Sequence, residues 1–194
     1  MKYDVILADP PWHFKVWNEE SGSGRSASQH YPIMSIEDIC ALPVKDLAAE
    51  NCALFLWTTW PTIFKYVPQV LDAWGFTYRT EAWVWIKPTH GYHPAADKAP
   101  WAMGTGYYTR ANSEPCLIAM KGSMPVADHG IVGIIEALRR AHSQKPEEQY
   151  KMIERLYPGK RYLELFARKS RPGWDVWGNE VESDVELLSN KGVG

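Results

Sequence analysis

Cysteine is scarce in this chain of 194 residues: there are three. Cys40, Cys52 and Cys116 form an odd set with no C-x-x-C spacing, which excludes a disulfide framework and a cysteine-built zinc site. The histidines (His13, His30, His90, His93, His129 and His142) are too dispersed for a metal signature. No uncharged stretch reaches the roughly 20 residues that span a bilayer, and no signal-type apolar region follows Met1-Lys2. A soluble, cytoplasmic protein with no membrane partner is expected. G-x-G-x-x-G is also missing, so the phosphate-cradling loop of dinucleotide enzymes is excluded. A net charge of -2 removes bulk attraction as a route to nucleic acid and leaves only local patches.

What is present is one domain's worth of chain and an unusual supply of aromatics, ten Trp and ten Tyr. Such side chains fill cores first and stack on flat ligands second. Between Arg139 and Arg171 stand ten Lys or Arg against four acids, a segment that reads equally as a solvated basic face or a phosphate-tracking surface.

Strand-like and helix-like pieces alternate, the pattern of an α/β sheet with mainly parallel strands. "YDVILA" (3–8), "CALFLW" (52–57), "TYRTEAWVWIK" (77–87) and "RYLELFAR" (161–168) read as strands, with "PCLIAMKG" a further apolar run. "SIEDICAL" opens with a capping pattern, Ser35 followed by Asp38. "PTIFKYVPQVLDAWG" reads as a helix with Pro61 in its first turn, a bend at Pro68 and its exit at Gly75. "PEEQYKMIERLYPG" is an amphipathic helix beginning near Pro146. Residues 13–34 and 88–114 read as long loops of lid or binding length. The domain is expected to span 1–181, with 182–194 a flexible tail.

In an open α/β sheet, ligands gather at the carboxyl ends of strands, and "VILA" runs directly into Asp9-Pro10-Pro11-Trp12. The prolines hold the turn stiffly and bias Asp9 towards extended backbone, so the Asp9 carboxylate and the Pro10 carbonyl are fixed relative to each other. Two acceptors side by side suit an exocyclic amine on a flat base. Accepting both N–H bonds favours a pyramidal nitrogen whose lone pair is available for attack, and Trp12 would stack on the base. Such a transfer from a sulfonium donor needs orientation and electrostatic fit, with no metal. A proline-braced corner on its own is as often only a stiff turn.

The company the corner keeps is more specific. "ADPPW" (8–12), "LFLWTT" (54–59), "WVWIK" (83–87), "SEPCLIAMKG" (113–122), "SQKPEEQYKMIERLYPGKRYLELFAR" (143–168) and W-x-x-W-G-N-E (174–180) follow one another. In this order they resemble the N6-adenine methyltransferase family named for the seventy-kilodalton catalytic subunit of messenger-RNA adenosine methyltransferase. The resemblance implies a single-domain, Rossmann-like methyltransferase with S-adenosylmethionine as donor and adenine in nucleic acid, DNA before RNA, as acceptor. It implies catalytic roles for Asp9, Pro10, Pro11 and Trp12. Cofactor contacts fall to Asp9, Lys145, Glu164, Phe166, Arg168, Asn179 and Glu180, the last replacing a glutamine common in eukaryotic members. Acceptor contacts fall to Trp12, Lys87 and Glu114; by their place in the two long loops, His30, Tyr31 and Tyr108 are further candidates for the base and Arg110 for a phosphate. A monomer or homodimer is expected, with an accessory specificity subunit as an option. The alternatives are an RNA adenine methyltransferase and a catalytically silent nucleic-acid-binding subunit; an intact motif speaks against the second.

Overall fold

The computed structural model describes residues 1–12, 34–89, 101–102, 104, 108–140 and 144–187. Their chain order is β1 (Tyr3–Ala8), α1 (Ile36–Ala41), α2 (Val44–Leu47), β2 (Ala48–Trp57), α3 (Val67–Trp74), β3 (Thr77–Ile86), β4 (Ser113–Lys121), β5 (Ile134–Glu136), α4 (Glu148–Leu156), β6 (Tyr162–Leu165) and β7 (Trp174–Trp177). The seven strands form one sheet in the order β5-β3-β4-β2-β1-β6-β7. All neighbours are parallel except those of β4, which runs against both β2 and β3. Among the described residues no helix is long and apolar enough to cross a membrane.

The fold follows from alternation along apolar strands covered on both faces. From β1, Val5 and Leu7 enter one core with Phe55, Trp57, Trp83 and, from α4, Tyr150 and Ile153. Ile6 and Ala8 enter the other with Leu54 and Leu56, against Ile39 of α1 and Val70, Leu71 and Trp74 of α3. Helices therefore lie on both faces of a mainly parallel sheet, a Rossmann-like arrangement. Buried polar atoms are largely partnered: the Trp74 indole N–H donates to Ile39's carbonyl at 2.9 Å, and Ser35 caps α1 by accepting the Asp38 amide at 3.0 Å.

Several expectations change on contact with the structure. The helix expected over 61–75 begins only at Val67; residues 60–66 are hydrogen-bonded turns, and Pro68 sits in the first turn of α3. A proline there loses no intrahelical bond, so it starts the helix where a bend was expected. Gly75 closes it in the left-handed region at φ 76. β2 starts four residues early, at Ala48, while α2 and β7 are additional elements. The boundary drawn at 181 is too early: Asp184 accepts the Val176 amide at 2.9 Å, and Val185 and Leu187 pack on the core. Residues 188–194 lie outside the described residues, as do residues 13–33 of the loop expected over 13–34.

Candidate active site

Five strand ends meet at one edge. Because β1, β2, β3, β6 and β7 share a direction, Asp9, Thr58, Lys87, Phe166 and Gly178 all leave the sheet there. Reversed β4 brings its amino end to the same edge, pairing Glu114 with Trp85 and Ser113 with Ile86. The residues marked out by sequence thus converge although they come from distant parts of the chain.

At the centre, the Lys145 ammonium donates to Asp9 Oδ2 at 2.6 Å and stands 3.4 Å from Glu114 Oε2. The Lys87 ammonium closes the row on Glu114 Oε1, lying 4.4 Å over the Trp85 ring. Lys145 is 12% exposed and Asp9 32%, so the row runs from the interior to the opening. Burial by itself would push the Lys145 ammonium down, but Asp9 and Glu114 outweigh it and raise its pKa. Burial opposes ionisation of Glu114 too, yet Lys145 and Lys87 hold its carboxyl below the usual range. For Asp9 burial wins over Lys145 and the pKa is raised. Among the described residues Asp9 Oδ1 carries no partner, so one acceptor lobe remains for an incoming N–H.

Beside Asp9 opens a cavity of about 340 Å³, lined among others by Leu7, Lys145, Glu164, Phe166, Arg168 and Glu180. Arg168 donates to Glu180 at 2.9 Å. Asn179, expected as a cofactor contact, is exposed on the turn next to Glu180 and does not line the cavity. Phe166 is held at φ 63 with its ring edge-on to Trp177 at 5.3 Å. A left-handed φ is uncommon for a bulky residue. Here it lets the chain turn sharply out of β6 so that both Phe166 and Arg168 reach the cavity.

Two parts of the corner depart from expectation. Trp12 is only 6% exposed and packed in the core; its indole N–H donates to the Trp57 carbonyl at 2.9 Å. It braces the ends of β1 and β2, because the buried indole N–H requires an acceptor and the end of β2 supplies one. The Pro10 carbonyl accepts the Trp12 amide at 2.8 Å, leaving one of its two lone-pair sites. Tyr108 and Arg110 are exposed on the approach to β4; His30 and Tyr31 lie outside the described residues.

Other lining groups were not visible in the sequence. Buried Gln149 of α4 accepts the Trp57 indole N–H at 2.7 Å, a pairing across 92 positions that no local pattern signals. The Tyr150 hydroxyl meets both carboxylate oxygens of Glu164 at 3.0 Å. The basic stretch is largely consumed in pairs: Glu147 holds Arg140, Lys169 and Arg171, Asp128 holds Arg155 and Arg168 holds Glu180. Among the described residues no group of three His, Cys, Asp or Glu could hold a metal.

Glu164 yields a pH prediction. Burial raises its pKa to about 7, with Tyr150 only partly opposing. The native state therefore keeps this proton at pH values where the unfolded chain has lost it, and stability falls as pH rises from the ordinary carboxylate range to about 7. Glu164→Gln is expected to flatten that part of the profile. Thermal midpoints of both proteins at steps from pH 4.5 to 8 check this; parallel curves would overturn it.

Comparison with known proteins fits the geometry. Residues 3–180 match the MT-A70 family. The chain belongs to that family. The MT-A70 chain is 32% identical to the type II methyltransferase M.MunI of Mycoplasma sp., over 96% of its own length and 81% of the relative's. It is 30% identical to the human N(6)-adenine-specific methyltransferase METTL4 and 29% to the human N(6)-adenosine-methyltransferase catalytic subunit METTL3. It covers 92% and 96% of itself in those two matches but only 37% and 29% of the human chains.

Proposed function

We propose that this chain transfers a methyl group from S-adenosylmethionine to the exocyclic N6 amine of adenine in DNA. The observation that carries the reading is the Asp9 corner. There a carboxylate with one oxygen on Lys145 and the other unpartnered among the described residues stands at the mouth of a cavity, fixed by two prolines. The reading follows the type II methyltransferase as the fuller match, 81% of its length against 29% of METTL3.

The cavity's donor set fits the cofactor. Arg168 offers a cation for a carboxylate, Glu180 and Glu164 offer acceptors for ribose hydroxyls or an amino group, and Phe166 with Leu7 supplies apolar surface. When bound, S-adenosylmethionine supplies an electrophilic methyl on sulfur.

The chain's own residues do the rest. Asp9 Oδ1 and the remaining Pro10 lone pair accept the amine's two N–H groups, so the nitrogen lone pair points out of the ring plane. The Asp9 charge stabilises positive charge developing on that nitrogen. Glu114 is poised to take up more of the Lys145 ammonium as Asp9 turns to the amine, keeping the buried charges balanced. Trp12 holds the corner still. A base paired in a duplex must first be swung out, at a few kcal/mol, so unpaired sites are expected to react faster.

The test is incubation with labelled donor and matched single- and double-stranded DNA and RNA oligomers, then digestion and identification of the modified nucleoside. N6-methyldeoxyadenosine is expected, most from single-stranded DNA. Label found only in RNA would move the acceptor, and none in any polymer would remove the reading.

A further inference from the structure

We propose that Trp60 and Phe64, on the turns after β2, form a stacking ledge for the nucleobase next to the target adenine. The inference rests on the polynucleotide reading above and adds a contact that the motif does not contain. Phe64 is 93% exposed and Trp60 50%, in a chain that buries large aromatics such as Trp57, Trp74 and Trp83 completely. No ring contact within the fold is seen for either among the described residues.

The turn that carries them is stiff. The Thr62 hydroxyl donates to the Thr59 carbonyl at 2.8 Å, accepts the Thr59 amide at 3.1 Å and meets the Thr58 hydroxyl at 2.5 Å. Thr58 and Thr62 are buried, so a threonine knot pins the segment from below. The Trp60 indole N–H donates to Ser113 Oγ at 3.1 Å, and Ser113 adjoins Glu114, the partner of Lys145. The ledge is thereby tied to the reaction edge through one neighbouring residue. A rigid ring loses little entropy on stacking.

Charge chooses the occupant. From Thr58 to Leu71 the chain carries Lys65 and no carboxylate, and Arg110 is exposed shortly before Ser113, the partner of Trp60. Aromatic faces on a segment whose one charge is a cation suit a polyanion with flat bases.

The experiment measures Kd for a fluorescein-labelled single-stranded DNA oligomer with one adenine, by anisotropy, for wild type, Trp60→Ala, Phe64→Ala and Phe64→Tyr. Photocrosslinking uses the same oligomer with 5-iodouracil beside the adenine. Kd is expected to rise about tenfold for each alanine variant and to return to within about twofold with Phe64→Tyr, and the wild-type crosslink is expected at Trp60 or Phe64. Unchanged thermal midpoints show that the variants are folded. Wild type that binds, but with alanine variants of equal affinity or crosslinks elsewhere, overturns the ledge and leaves methyl transfer standing. Wild type that binds no oligomer overturns both. Dimers in wild-type sedimentation that Phe64→Ala dissolves, with DNA affinity unchanged, reassign the rings to a protein contact.

Discussion

Asp9→Ala is expected to lower labelled-methyl incorporation into adenine-containing DNA by at least about 10³-fold while the chain stays folded. The carboxylate does two jobs: Oδ2 neutralises Lys145, and Oδ1 is the acceptor left for the amine. Alanine removes both. Asp9→Asn keeps the shape but not the charge, and its NH2 group must sit either against an ammonium or against the incoming amine, so a loss of similar size is expected. A second readout separates chemistry from collapse. With Asp9 gone, Lys145 keeps its burial but loses its first counter-charge, so its pKa should fall. Selective lysine labelling across pH, followed by peptide mapping, should find Lys145 reactive at lower pH in the variant. Turnover by Asp9→Ala at the wild-type rate would refute the assigned role.

Gly178→Ala is expected to damage the cavity without touching any group that lines it. A Cβ at Gly178 would lie 2.8 Å from the Ala167 amide nitrogen and closer still to its carbonyl oxygen. That approach exists because the Ala167 amide donates to the Trp177 carbonyl at 2.9 Å, locking the exits of β6 and β7 together. The added methyl must push residues 166–168 outward, taking Phe166 and Arg168 with it. Overpacking of this kind costs about 1–3 kcal/mol, or roughly 3–10 °C of thermal midpoint for a chain of this size. The affinity for S-adenosylmethionine, read by calorimetry, should fall at least about tenfold. Wild-type cofactor affinity in this variant would show that the turn out of β6 does not shape the site.

Legibility in the sequence tracked how local each cause is. β1, α1 and α4 could be read because an unbroken apolar run, a Ser-x-x-Asp cap and a helical stripe are each contained in one short window. The helix after β2 was misread at its start because Pro61 and Pro68 both satisfy the rule for a first turn, and only the threonine knot decides between them. β7 is as short as β6, four residues, but lacks the longer apolar run that marks β6. At the site, Asp9, Lys145, Glu114 and Lys87 were found through the motif, and the structure joins them in one charged row. The bracing bond of Trp12 to the Trp57 carbonyl was not legible, because the letters show an aromatic ring but not which carbonyl its N–H will find. Gln149 could not be found at all, since its role exists only against Trp57.

The reversed strand β4 has a consequence for how such a protein can diversify. In a wholly parallel sheet every working edge is furnished by segments that come after strands, and altering one disturbs the covalent exit of the element that supports it. Here Glu114 stands at that edge in the first residues of its strand, and the segment leading into it comes before the strand. The stretch leading into β4 can therefore lengthen or change its letters while the corners holding the donor keep their own anchorage, so selectivity for the acceptor and affinity for the donor are free to evolve on separate schedules.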